Sequence, residues 1–236
     1  ESFRNDLWDG YKTSEGMPPE LLEQIPVLED ALAAMGVTVW AMVDHEADDA
    51  LGAAAQVAAA DERVTQVLIV TPDKDLGQCV VGDRVVQFDR RRREIVDHDA
   101  VVAKFGIPPA SIPDYLALVG DTADGFPGLV GWGAKSAAAV LARYGHLEEI
   151  PDHAGQWEVP GLRGAPKLAA TLAEHRDLAV LFRTIATVDT SVPVGTVDEW
   201  RWRGPTERFA GVADDLGAPE LAERADRAAT RVGSAG

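Results

Sequence analysis

The chain has 236 residues, with 39 acidic and 22 basic side chains and a net charge of −17. Hydrophobic residues make up 46 %, enough for a core, which excludes wholesale disorder. One cysteine, Cys79, excludes a disulfide framework and a cysteine-ligated zinc site.

No apolar run approaches the roughly 20 residues of a membrane span, and Glu1-Ser2-Phe3-Arg4 is not a signal peptide. A cytoplasmic protein is expected. Strong acidity argues at first sight against a nucleic-acid binder. The charge is uneven, however: residues 125–147 and 159–173 carry no acid and hold Lys135, Arg143, Arg163 and Lys167.

In chain order, residues 18–35 read as a helix, with Pro18-Pro19 at the start, Leu21, Leu22, Ile25, Leu28 and Leu32 at helical spacing, and Gly36 as the stop. Val37–Val43 reads as a strand and Glu46–Ala60 as an alanine-rich helix. Val64–Thr71 is β-branched and reads as a buried strand. Val85–Asp89 is a third, with Ile95-Val96 positioned to pair with it. This alternation predicts an α/β parallel sheet. From residue 99 onward helices dominate: 99–105, 109–119, 134–144, 164–175, 176–187 and a last one at 218–231. A boundary is placed near residue 105. Gly133-Ala134-Lys135-Ser136 is faintly echoed by Gly164-Ala165-Pro166-Lys167, each opening a helix.

Three acidic clusters fall at element ends. Glu46, Asp48 and Asp49 open a helix, where carboxylates suit the positive end of the dipole. Asp73 and Asp75 follow a strand, and Asp121 and Asp124 follow the helix 109–119. Open α/β sheets gather function at the carboxyl ends of their strands. So many carboxylates share one place only if cations offset their repulsion or some stay protonated. Oxygen ligands without cysteine or paired histidine select Mg²⁺ or Mn²⁺, and two such ions roughly 4 Å apart suit phosphodiester cleavage. The plain alternative is a set of helix caps and solvated surface acids.

The segment Gly128–Ser136 is rich in glycine and leads into a helix. Its backbone N–H groups, with Lys135 and Ser136, suit a phosphate. It is not a Walker loop, because Ala134 separates Gly133 from Lys135.

Taken together, Glu46-Ala47-Asp48-Asp49, Thr71-Pro72-Asp73-Lys74-Asp75-Leu76, Gly120–Gly128 and Gly131–Ala137 resemble the bacterial 5′→3′ exonuclease/flap endonuclease family. That family includes the N-terminal nuclease domain of bacterial DNA polymerase I, and the resemblance covers roughly residues 3–190. It implies a PIN-like α/β nuclease core, residues 1–105, followed by a helix–three-turn–helix (helix-hairpin-helix class 2) DNA-binding region, 106–190, and a C-terminal extension, 191–236. It implies two divalent ions held by Glu46, Asp48, Asp49, Asp73, Asp75, Asp121 and Asp124. Phe3-Arg4 and Tyr11-Lys12 match a family segment in which Arg4 and Lys12 would meet DNA, Lys12 at the scissile phosphate. Catalysis would then rest on Lys12, Asp73 and Asp75. Gly131, Trp132, Gly133, Ala134, Lys135 and Ser136 would hold the duplex. A K⁺ ion would sit on the backbone carbonyls of Leu118, Val119, Pro127, Leu129 and Trp132.

There are departures. The family's first strand, bearing a metal-binding Asp, does not precede Glu1, so the core is expected to be N-terminally incomplete. Glu15 stands where a basic residue is usual, and Gly125 where Asn is common. The expected partner is DNA with a 5′ end or flap, bound by a monomer, with no membrane. A non-catalytic DNA-structure-binding module and a PIN-type ribonuclease are the alternatives. The run Arg90–Arg93 reads as a solvated hairpin turn or an auxiliary phosphate contact.

Overall fold

The computed structural model describes residues 1–233. They form two compact units: Glu1–Thr13 with Val43–Pro193, and Ser14–Met42 with the segment from Val194 onward.

The first unit opens with a short helix, α1 (Phe3–Leu7). Two helices that belong to the second unit follow, α2 (Pro19–Leu22) and α3 (Gln24–Ala34). The expected single helix over 18–35 is thus divided. Pro26 has no N–H to donate to the Leu22 carbonyl, so the ladder restarts with Pro26 in the first turn of α3, where a missing donor costs little. Leu21, Leu22, Ile25 and Leu28 are exposed, so that apolar stripe has no partner among the described residues.

The strand expected over Val37–Val43 does not form. A strand exists through its ladder, and residues 38–43 make no ladder bond among the described residues. Val37 donates instead to Leu32, and the Trp40 indole donates to the Val194 carbonyl (2.9 Å) and packs edge-on against Trp200.

In the first unit, α4 (Ala47–Ala60) precedes a three-stranded sheet in the order β1 (Val67–Ile69), β2 (Val85–Asp89), β3 (Glu94–Val96). β1 and β2 are parallel, Val67 opposite Val85, and β2 and β3 are an antiparallel hairpin, Gln87 opposite Val96. β1 is shorter than the expected 64–71. The Arg84 guanidinium takes the carbonyls of Ala59, Asp61 and Val64, so the chain before Val67 is held by a side chain rather than by a ladder.

Helices then dominate, as expected: α5 (His98–Phe105), α6 (Ile112–Val119), α7 (Ala134–Tyr144), α8 (Ala165–Glu174) and α9 (Arg176–Ala186). Asp97 caps α5 by accepting from Ala100 N (2.9 Å). The largest core lies among α6, α7 and α9, where Phe126 stacks on Phe182 at 5.5 Å and Trp8 meets the same ring edge-on at 5.1 Å. The second unit is completed by α10 (Val197–Trp200), α11 (Phe209–Asp215) and α12 (Glu220–Gly233), packed around Ala34, Phe209 and Ala225. No described helix is long and apolar enough to cross a membrane.

Candidate metal centre and nucleic-acid interface

The acids are delivered from three places in the first unit. At the start of α4, Glu46 is the extended N-cap, and Asp49 Oδ2 accepts from the Glu46 N–H (2.9 Å). At the carboxyl end of β1, Asp73 Oδ1 accepts from the Asp75 N–H (3.0 Å), which starts a 3₁₀ turn over Asp75–Cys79. Gln87 on β2 donates to the Asp73 carbonyl (2.6 Å) and ties this loop to the sheet.

After α6 the chain doubles back. Asp121 and Phe126 exchange backbone hydrogen bonds of 2.8 and 3.1 Å, which holds Asp121 and Asp124 in one tight loop. That loop is closed by Gly120 and Gly128, both at positive φ. A Cβ on Gly128 would overlap the Gly120 nitrogen and the backbone of Val119. Gly125 is equally constrained: at φ +82° a Cβ there would overlap the Gly10 carbonyl.

The outcome is a focus of three carboxylates. One oxygen each of Asp75, Asp121 and Asp124 lies within 4.8 Å of the others. Asp75 Oδ1 is buried and accepts no hydrogen bond, with the Lys74 ammonium forming an ion pair at 3.2 Å. Burial, aided by the charges of Asp73, Asp121 and Asp124 against the pull of Lys74, raises the Asp75 pKa to about 7. A buried carboxylate oxygen that accepts no hydrogen bond and faces two more carboxylates is a donor set that fits a hard divalent cation.

Two ammonium groups sit in this cluster. Lys74 pairs with Asp121, holding that carboxyl below its usual range although burial acts the other way. Lys12 Nζ lies 2.8 Å from Glu46 and 2.9 Å from Asp124, so it bridges the α4 acids to the Asp121–Phe126 loop. Tyr11 is buried beside it, and burial, with Glu46 and Asp124 nearby, raises its pKa. Asp48 is raised to about 6 by burial and then by the charge of Asp73. Six of the seven expected acids therefore line this region: the close triad of Asp75, Asp121 and Asp124, with Glu46, Asp48 and Asp73 around it.

Asp49 is different. Its carboxylate is fully buried and its oxygens receive Arg4 Nη1 (2.8 Å), Arg4 Nη2 (2.7 Å), Glu46 N–H and Asp189 N–H (2.8 Å). It is saturated by protein donors, which corrects its expected place as a ligand. The same pair corrects Arg4. Only 4 % exposed, with its guanidinium also donating to the Ile185 and Thr187 carbonyls, Arg4 is a strut rather than a DNA contact. Lys74, Tyr11 and Gln87 were not anticipated. Lys74 could have been noticed as a cation between two expected ligands in Asp73-Lys74-Asp75, whereas nothing local marks Gln87.

The glycine-rich segment lies largely at the surface. Gly131, Gly133, Ala134 and Lys135 are exposed at the start of α7, and Ser136 Oγ closes the first turn by bonding Gly133 N–H (3.0 Å) and C=O (2.9 Å). Trp132 is the exception. It is 7 % exposed and tilted against Trp157 at 6.0 Å, so it packs the helices instead of meeting a strand. Leu118 accepts from the Leu129 N–H (2.9 Å), and Leu129 from the Trp132 N–H (3.1 Å). A hollow of about 610 Å³ is lined by Gly131, Lys135 and Ser136 together with Gly161 and Arg163, which precede the echo at Gly164.

Residues 1–106 match the family model described as 5′-3′ exonuclease, N-terminal resolvase-like domain, and residues 107–208 match 5′-3′ exonuclease, C-terminal SAM fold. A DNA polymerase I of Pseudomonas aeruginosa is 35 % identical over 221 residues, covering 90 % of this chain and 23 % of the polymerase. A 5′-3′ exonuclease of Aquifex aeolicus is 36 % identical over 148 residues, 62 % of this chain and 50 % of that protein. The chain thus spans about a quarter of the polymerase and half of the exonuclease. Among solved structures, a bacteriophage T5 flap endonuclease in a pseudo-enzyme-product complex with DNA and metal ions superimposes with a TM-score of 0.61 at 22 % identity. That match covers 94 % of this chain and 81 % of the T5 chain, and it shows the shared fold.

Proposed function

Because the chain belongs to the 5′–3′ exonuclease family, we propose that it hydrolyses phosphodiester bonds in DNA at a 5′ end or flap, with divalent metal. The observation that carries this reading is the convergence of Asp75, Asp121 and Asp124 within 4.8 Å, with Asp75 Oδ1 lacking a hydrogen bond. The T5 flap endonuclease of the same fold was crystallised with DNA and metal ions, which supports the substrate and the cofactor class.

The divalent ions, Mg²⁺ or Mn²⁺, would offset the carboxylate charge and make water a better nucleophile. Asp75, Asp121 and Asp124 would hold them, with Glu46, Asp48 and Asp73 contributing around them. Lys12, half exposed, exchanges its carboxylate partners for the scissile phosphate and stabilises the charge that develops there. Lys74, paired with Asp121 in the metal-free chain, would give that carboxylate up to the metal. Residues 1–105, completed by Asp121 and Asp124 from the loop after α6, form the cleaving part. Residues 106–190 hold the duplex through the α7 start, with Gly131, Gly133, Ala134, Lys135 and Ser136 on its backbone. A K⁺ ion on the carbonyls of Leu118, Val119, Pro127, Leu129 and Trp132 would stiffen that turn. Residues 191–236 are an extension. The setting is removal of primers and flaps in replication and repair.

The test is a substrate panel with Mg²⁺: a 5′-flap DNA duplex, a blunt duplex and single-stranded RNA. Cleavage of the flap duplex first supports the reading. Tight binding without cleavage, or preference for the RNA, contradicts it.

A further inference from the structure

We infer that the turn Arg90–Arg93 is a second DNA-backbone contact beside the acidic centre, gripping phosphates next to the strand being cut. The inference deepens the proposed function and rests on it for the substrate class.

The turn joins β2 to β3, and all four arginines are exposed. Only Arg92 reaches an acid, Asp89, at 3.8 Å; among the described residues Arg90, Arg91 and Arg93 have no ion-pair partner. This is unusual in a chain of net charge −17. In the same unit Arg4, Lys12, Arg63, Lys74, Arg143, Arg176 and Arg183 are each bound to a carboxylate. The cations left without one include Lys135, Arg163 and Lys167 near the starts of α7 and α8 and the arginines of this turn; Arg84 is spent on backbone carbonyls, and Lys104 lies over the Phe105 ring.

Position matters as much as charge. β1 and β2 run parallel, so their carboxyl ends open on one sheet edge. The first continues into Asp73 and Asp75, the second into the arginines. A hollow of about 410 Å³ lies between the two loops, lined by Val70, Thr71, Pro72, Asp89, Arg90 and Arg91. The Gln87 bond to the Asp73 carbonyl fixes the hairpin to the acidic loop. The turn is also built against backbone preference. Asp89 Oδ1 accepts from the Arg91 and Arg92 N–H groups, and Arg93 adopts φ +57°, a conformation that glycine or asparagine takes more easily. Guarding an edge strand against pairing would call for charge along Glu94–Val96 itself, not on the turn. Unpaired guanidinium groups at an acidic protein's cleavage edge match phosphates, which they bind in a forked geometry.

The experiment uses the whole chain with Ca²⁺, to hold DNA without cutting, and measures binding to 5′-flap duplexes with short and long unpaired arms as salt is varied. Replacing Arg90, Arg91 and Arg93 together by alanine should lower the slope of log K against log salt by about 2 to 3, and weaken binding roughly tenfold at moderate salt. The triple lysine variant should keep the slope. Arg91→Glu alone is the second variant, should the triple alanine chain misfold, and should weaken binding in the same direction. Loss confined to the long arm places the grip on the single strand; equal loss on both places it on the duplex. An unchanged slope in a folded alanine variant overturns the inference while leaving flap cleavage intact. Wild-type protein with an arginine-dependent slope that cuts nothing would overturn the nuclease reading and keep this one.

Discussion

Arg4 and Asp49 form a two-pronged ion pair inside the first unit, Nη1–Oδ2 at 2.8 Å and Nη2–Oδ1 at 2.7 Å, with exposures of 4 % and 0 %. It joins α1 to the start of α4, so it sets the helix end from which Glu46 and Asp48 project. Removing one partner leaves a buried charge alone. Asp49→Ala or Arg4→Ala should each destabilise by about 3–5 kcal/mol, and the double variant by far less than their sum. Denaturant unfolding in a double-mutant cycle checks this. If Asp49→Asn weakens metal binding without lowering stability, Asp49 is a ligand after all.

The pH dependence of the metal-free chain has a defined sign. Burial, with neighbouring acids, raises Asp75 to about 7 and Asp48 to about 6, so the folded chain keeps protons that the unfolded chain has released. Stability must then fall as pH rises from about 5 to about 7, because the folded state binds more protons across that window. Carboxyls held low by cations, such as Asp49 by Arg4 and Asp121 by Lys74, act below the window. Thermal unfolding in chelator between pH 5 and 8 should show a falling midpoint, flattened by Asp75→Asn. A midpoint that rises over this range contradicts the site's electrostatics.

Lys74 competes with metal for Asp121. Lys74→Ala should lower the stability of the metal-free chain, where Asp75 and Asp121 lose their cation, and enlarge the midpoint gain on adding Mn²⁺. Calorimetric unfolding with and without Mn²⁺ measures both. A smaller metal-induced gain in the variant would mean that Lys74 assists ion binding instead.

The Gly120–Gly128 contact carries two of the proposed ligands. Gly128→Ala, at φ +68° with the Gly120 nitrogen in the way, should cost about 1–3 kcal/mol and weaken metal binding with it, since Asp121 and Asp124 ride on that loop. Lower stability with unaltered metal affinity would separate the loop from the site.

The sequence makes some of this visible and hides the rest for physical reasons. α7 lies over 134–144 as expected because its apolar spacing, glycine entry and Gly145 exit all agree. The acids are legible because carboxylates gathered at three element ends repel one another unless they share a cation. Asp49 is not distinguishable from Asp48 in sequence, since the partner that claims it, Arg4, lies 45 positions away. Val37–Val43 has the composition of a strand, yet composition cannot supply a ladder partner. Trp132 sits in the glycine-rich motif expected to meet phosphate, but its burial depends on Trp157, which only the folded chain brings near.

The most direct test of the metal centre is the Mg²⁺-dependent cleavage rate of a 5′-flap DNA duplex by the chain and by Asp75→Ala combined with Asp121→Ala. The account predicts cleavage that vanishes in chelator and falls by about a thousandfold or more in the double variant, the scale on which removing transition-state charge stabilisation acts. Cleavage that persists in chelator, or that survives the double substitution in a folded protein, would contradict it.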